Sequence, residues 1–158
     1  MATIRVQTAD FDIGAEIAAL VAGRADIGGI GSFVGTVRNS AGGRQILAMT
    51  LEHYPAMTEQ AMRRVAAEAE SRFPILGCTL IHRVGRLLPG ENIVLVAAVS
   101  PHRKAALDAT AFLIDWLKTS APFWKKESFA DGAEAWVEAR AEDEQAASGW
   151  NKAPPPAS

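Results

Sequence analysis

Residues 78–118 constrain the fold more than any other part of the chain. "CTLIHRVGRL" and "NIVLVAAVS" are two strand-like runs joined by "LPGEN", a turn. A helix over 102–118 follows, apolar on most faces. Its exception is one stripe, Lys104, Asp108, Ala111, Asp115 and Lys118, spaced i, i+4, i+7, i+11, i+14. The pattern predicts a mostly buried helix with a single polar edge. Pro122 ends any continuation of it.

The remaining segments interleave in the same way. "TIRVQT" (3–8) has a strand pattern and "FDIGAEIAALVA" (11–22) a helical one. "GIGSFVGTVR" (29–38) and "QILAMTLEHY" (45–54) flank the turn-rich "NSAGGR", which predicts a hairpin over 29–54 with a mobile tip. A helix is expected from Thr58, as N-cap, to about Phe73. Met62, Val65, Ala66, Ala69 and Phe73 form its apolar stripe, and Pro74 stops it. "FWKKESF" and "AEAWVEA" are late strands. With strands and helices alternating, the class is α/β or α+β around one main sheet. Residues 1–150 are expected to form one domain, and the Pro-rich 151–158 a disordered tail.

Charge and cysteine content exclude several functions. A net charge of −2 exerts no overall pull on nucleic acid or an anionic membrane, so anion chemistry must come from a local basic cluster. The N-terminus lacks a signal-peptide pattern and no apolar run approaches the ~18 residues of a membrane span, so a cytoplasmic protein is the simplest expectation. Cys78 is the one cysteine, which rules out an internal disulfide or a multi-thiolate metal site. Its place in a strand predicts a buried, inert thiol.

Three features carry possible chemistry. "GGIGSFVGTVRN" (28–39) is glycine-rich, but its glycines lie within a strand rather than between strand and helix, so it is not a nucleotide loop. Glycine there marks a bulge or a close backbone approach, and Arg38 at the strand's end is the better anion ligand. "SPHRKA" (100–105) opens a helix, where free backbone N–H groups, His102 and Arg103 suit a phosphate. "LKTSAPFWKKESF" (117–129) sets Lys118 in the last helical turn and Lys125 and Lys126 on a following strand. Strand alternation sends those two to opposite faces, so only one can join Lys118; Lys125 is expected inside. Desolvation near Phe123 and Trp124 would lower a lysine's pKa and suit it to nucleophilic or general-base work. His102 and Lys118, sixteen residues apart on one helix, stand ~24 Å from each other. They serve either two sites or one site shared across a two-fold dimer.

The segments "GSFVGTVRN", "LEHYPAMTE", "IHRVGRLLPGE", "SPHRKAA", "LKTSAPFWKKE" and "WVEA" resemble, in order, the large catalytic subunit family of molybdopterin synthase. The resemblance covers about residues 28–140. It implies an α/β hammerhead fold with a mixed, partly antiparallel sheet, two long helices and a small β subdomain. It also implies a homodimer within a heterotetramer, each large subunit binding a separate ubiquitin-like sulfur carrier that ends in a Gly-Gly thiocarboxylate. The implied reaction moves sulfur from that carrier onto cyclic pyranopterin monophosphate, forming the dithiolene of molybdopterin. By motif, the catalytic lysines are Lys118 and Lys125, and the substrate-binding residues are Arg38, His102 and Arg103. Glu127, Phe123 and Trp124 are supporting residues. No resident cofactor or metal is implied. Two alternatives remain at this stage, a non-catalytic docking module for a ubiquitin-like partner and a phosphate- or nucleic-acid-binding protein.

Overall fold

The computed structural model describes residues 1–137 and 141–151, with only the backbone of residues 141 and 142. In chain order the elements are β1 (Ala2–Gln7), α1 (Ile13–Val21), β2 (Gly29–Thr36), β3 (Ser40–Ala41), β4 (Arg44–His53), α2 (Pro55–Arg72) and β5 (Gly77–Arg83). They continue with β6 (Gly85–Leu87), β7 (Asn92–Ser100), α3 (Arg103–Thr119), β8 (Phe123–Phe129), β9 (Glu134–Val137) and α4 (Ala141–Gly149). The architecture is mixed α/β, as expected, but its strands divide between two sheets. One has the order β1-β5-β7-β2; the other has the order β3-β4-β8-β9, with β6 pairing with β4. The expected tail lies outside the described residues apart from Asn151, and so do Glu138 and Ala139 of "WVEA".

The centre of the first sheet is the strand pair read from the sequence. β5 and β7 run antiparallel from Gly77 opposite Val99 to His82 opposite Val94, and β1 joins β5 in parallel. All seven residues of β5 are buried, because both faces of this sheet are covered. On one face Leu80, Val94 and Val96 pack with Met62 and Val65 of α2 and with Phe112, Leu113 and Leu117 of α3. On the other, Ile81 and Leu95 pack with Phe11, at the start of the α1 segment.

The hairpin expected over 29–54 does not form. β2 pairs along its length with β7, whereas β4 pairs with β8. The glycines of β2 account for its choice: a Cβ on Gly31 would lie 2.5 Å from the Ala106 carbonyl oxygen and 2.7 Å from Thr110 Oγ1. A β-carbon is excluded there, which lets α3 lie almost on the strand backbone. The "NSAGGR" turn closes only the short β3–β4 ladder, through Gly42 and Gly43 at φ 58° and 78°. "CTLIHRVGRL" is likewise two strands, not one. Gly85, at φ 91°, breaks it and sends β6 into the second sheet.

Thr58 does not cap α2. The helix starts one turn earlier with Pro55 in its first turn and Tyr54 as a cap without a side-chain bond. Thr58 is instead buried, and its hydroxyl donates to the Pro122 carbonyl at 3.3 Å. That bond ties α2 to the short link between α3 and β8.

Candidate active site

The α3–β8 link builds the site. Lys118 lies in the last turn of α3, where a cation complements the exposed carbonyls. Ser120 N–H closes the helix on the Trp116 carbonyl at 2.8 Å, and Phe123 N–H reaches the Ala121 carbonyl at 2.8 Å, which turns the chain into β8. There the register sets Phe123 opposite His53, Lys125 opposite Leu51, and Glu127 opposite Met49. Leu51 is buried, so the face holding Phe123, Lys125 and Glu127 points inward.

These inward side chains and Lys118 line a pocket of about 470 Å³. Arg38, Thr36 and Thr119 share it, as does Asp143 of α4. Arg38 is held at its mouth because the segment after β2 is clamped to the turn before β7. Val37 N–H donates to the Glu91 carbonyl at 2.9 Å and Gly90 N–H to the Val37 carbonyl at 2.8 Å. Three cations from three separate elements thus face one cavity.

The opposite face of β8 does something else. Lys126 pairs with Glu134 at 3.5 Å and lies 5.7 Å from the centre of the Trp136 ring. Trp124 is exposed and meets Tyr54 edge-on at 4.9 Å, away from the pocket. Phe123 and Trp124, both expected to support the site, therefore face opposite ways. Phe123 lines the pocket and stacks on His82, while Trp124 belongs to the outer surface.

Electrostatics follow from this enclosure. Burial chiefly, with Lys118 adding repulsion, lowers the Lys125 ammonium from its ordinary 10.5 to about 8; Asp143 and Glu127 oppose the shift. His82 beneath them is pushed down to about 3, first by burial and then by Lys125, Lys118 and His53, against a hydrogen bond to the Arg83 carbonyl that favours the charged form. It is neutral at physiological pH. Since a carbonyl only accepts, its Nδ1 carries the proton in the 2.8 Å bond to Arg83 O. Asp115 does not pair with Lys118; its carboxylate accepts from Trp150 Nε1 at 2.8 Å.

His102 and Arg103 lie at the far end of α3, exposed, and the structure does not bring them to this pocket. Cys78 is fully buried and its thiol is pushed up to about 12, chiefly by burial, so it is no nucleophile. Two titratable residues that shape the site, Asp143 and His82, are not among those expected from the sequence. Asp143 lies in the acidic run "AEDE", whose charge facing a lysine cluster was the available signal. His82 lies inside a strand, where nothing local distinguishes it from a core histidine.

Known proteins share both sequence and fold. The MoaE protein family matches residues 6–120. A molybdopterin synthase catalytic subunit from Mesorhizobium japonicum is 55% identical over 149 residues, 94% of this chain and 92% of that protein. One from Pseudomonas aeruginosa is 52% identical over 149 residues, 94% of this chain and 99% of that protein. Among solved structures, the molybdopterin biosynthesis MoaE protein from Burkholderia ambifaria superposes with a TM-score of 0.81 at 52% identity, covering 96% of this chain and 99% of that one. The chain belongs to the MoaE protein family and is an enzyme subunit of the molybdopterin synthase class.

Proposed function

We propose that this subunit transfers sulfur from the C-terminal thiocarboxylate of a small ubiquitin-like carrier onto cyclic pyranopterin monophosphate, in the cytoplasm. The observation that carries the reading is the convergence of Lys118, Lys125 and Arg38 on one half-apolar pocket. A thiocarboxylate and a phosphate are both anions, and a partly desolvated cluster of cations holds them more strongly than a solvated surface does. Lys125, held near neutrality, is the group able to exchange a proton during the reaction. Lys118 and Arg38 supply charge to the anions that form.

In this scheme the carrier's sulfur bonds to a substrate carbon, whose departing oxygen takes its proton from an ammonium. Water then cleaves the acyl C–S bond, so the carrier leaves as a carboxylate and the sulfur stays on the pterin as a thiolate. Two carriers complete the dithiolene. His102 and Arg103 join the phosphate site from the second subunit of a homodimer, which also carries two carriers as a heterotetramer. The ~24 Å length of α3 between them and Lys118 supports that arrangement over a site within one subunit.

The test mixes purified protein, thiocarboxylated carrier and cyclic precursor and measures the dithiolene product. Absence of product with the native protein overturns the reading. Lys118→Ala is expected to lose about 100-fold or more in rate. Full activity in that variant removes the lysine assignment while leaving the transfer reaction in place.

A further inference from the structure

The C-terminal helix α4 supplies a charged wall to the pocket. It packs along α3, and Trp150, one residue beyond its end, is held from several sides. The Trp150 ring meets Phe73 and Phe112 edge-on, with centroids 5.7 and 5.5 Å away. Its indole N–H donates to Asp115 at 2.8 Å, and its carbonyl accepts from the Arg72 guanidinium. A half-buried indole with both its polar handle and its backbone oxygen satisfied is a fixed point. Asp143, two turns earlier on α4, lines the same pocket as Lys125.

We infer that Asp143 is a positioning residue for Lys125, held at the pocket by α4 with Trp150 as its anchor. This rests on the reading of Lys125 as a working group of the site. Among the described residues, the charged or titratable groups around Lys125 are Lys118 from α3, Arg38 after β2, Glu127 on β8, Asp143 on α4, and the imidazoles His82 and His53. With Lys125 itself, three cations face two carboxylates. Glu127 is fixed on the same strand as Lys125, so Asp143 is the one carboxylate whose presence depends on a separate helix docking. It makes no ion pair with Lys125 within 4.0 Å, so it acts across the cavity, keeping the ammonium charged and directed into the pocket. It also links the Trp150, Phe73 and Phe112 rings to the chemistry at Lys118 and Lys125.

The experiment reads Lys125 directly. In the full-length protein, the pH dependence of Lys125 acylation by acetic anhydride, followed by mass spectrometry, reports its titration whether or not sulfur is transferred. In Asp143→Asn the midpoint is expected to fall by about half a pH unit or more, and Asp143→Glu should restore it. Trp150→Phe, which keeps the ring but loses the bond to Asp115, should shift it in the same direction by less. The descending limb of the transfer pH profile, where the Lys125 ammonium loses its proton, should move with the labelling midpoint. An unchanged Lys125 midpoint in Asp143→Asn overturns the inference. A shifted midpoint in a protein that transfers no sulfur supports the role of Asp143 and overturns the transfer reaction instead.

Discussion

Phe123 stacks face to face on His82, with ring centroids 3.8 Å apart and planes 16° from parallel. This contact joins the first residue of β8 to the penultimate residue of β5 in the first sheet, and so fixes the position of Lys125 two residues later. Phe123→Ala is expected to cost about 2–4 kcal/mol through lost burial and the space left behind. In thermal denaturation that is a fall of about 5–15 °C. Sulfur transfer at a temperature where the variant remains folded should fall further than Lys126→Ala lowers it, because Lys126 faces outward. Equal losses would show that β8 holds Lys125 without the stack.

Lys125 makes stability depend on pH in a direction opposite to that of a salt-bridged lysine. Its pKa is about 8 in the folded protein and 10.5 when free. Between those values the unfolded chain binds the extra proton, so stability rises with pH through this window; below about 8 the folded state bears the full cost of a buried ammonium. Lys125→Met should therefore be more stable than the native protein at pH 7, by on the order of 1–3 kcal/mol, and catalytically inactive. The difference between the two should shrink from pH 8 to 10.5 in urea unfolding. Cys78 titrates identically in both proteins and cancels from the comparison. A difference independent of pH would rule out the buried-amine account.

Gly31 is the tightest test of how α3 meets β2. Gly31→Ala places a β-carbon 2.5 Å from a helix carbonyl, and that backbone cannot rotate away as a side chain would. A destabilisation of about 1–3 kcal/mol is expected, with the whole of α3 displaced outward. Lys118 moves with its helix, so transfer activity should fall even at temperatures well below melting. Native stability in this variant would mean that the helix is not seated so closely on the strand.

The proposed sharing of each site across a dimer can be tested by complementation. Lys118→Ala and Arg103→Ala homodimers should each be inactive. Mixed under conditions that exchange subunits, about half of the dimers are heterodimers, each with one intact site, which restores about a quarter of native activity. No recovery, despite exchange confirmed by native mass spectrometry, places Arg103 and Lys118 in the same subunit's function or in different functions.

Cys78 should stay silent towards thiol reagents at pH 8 in the native protein and react fully in urea, since burial holds its thiol near pKa 12. Cys78→Ala should retain transfer activity, because the proposed reaction takes its sulfur from the carrier. Rapid native-state labelling would show that β5 opens under native conditions.

Particular residues show where the sequence was legible. The strand period assigned Lys125 and Lys126 to opposite faces, and the helix period placed Lys118 at the end of α3, because side-chain direction follows from local backbone geometry alone. The glycines of β2 announced a close approach without naming what approaches. By contrast, the expected 29–54 hairpin failed because pairing is decided by which strand offers the better long-range partner, and β7 and β8 lie far along the chain. Thr58 was misplaced for a similar reason: a hydroxyl that looks like a cap locally was taken by a carbonyl 64 residues away.

The sequence by itself determined the long strands and helices α1 to α3 to within a turn, the inert cysteine and the two lysines that face inward, since each depends on period, composition or spacing over a few residues. Only the tertiary structure decided that the strands form two sheets, that Arg38 and Asp143 meet those lysines, and that His82 lies beneath them. It also decided the ionisation of Lys125. Proximity across the chain and loss of water are properties of packing, and a pKa depends on both.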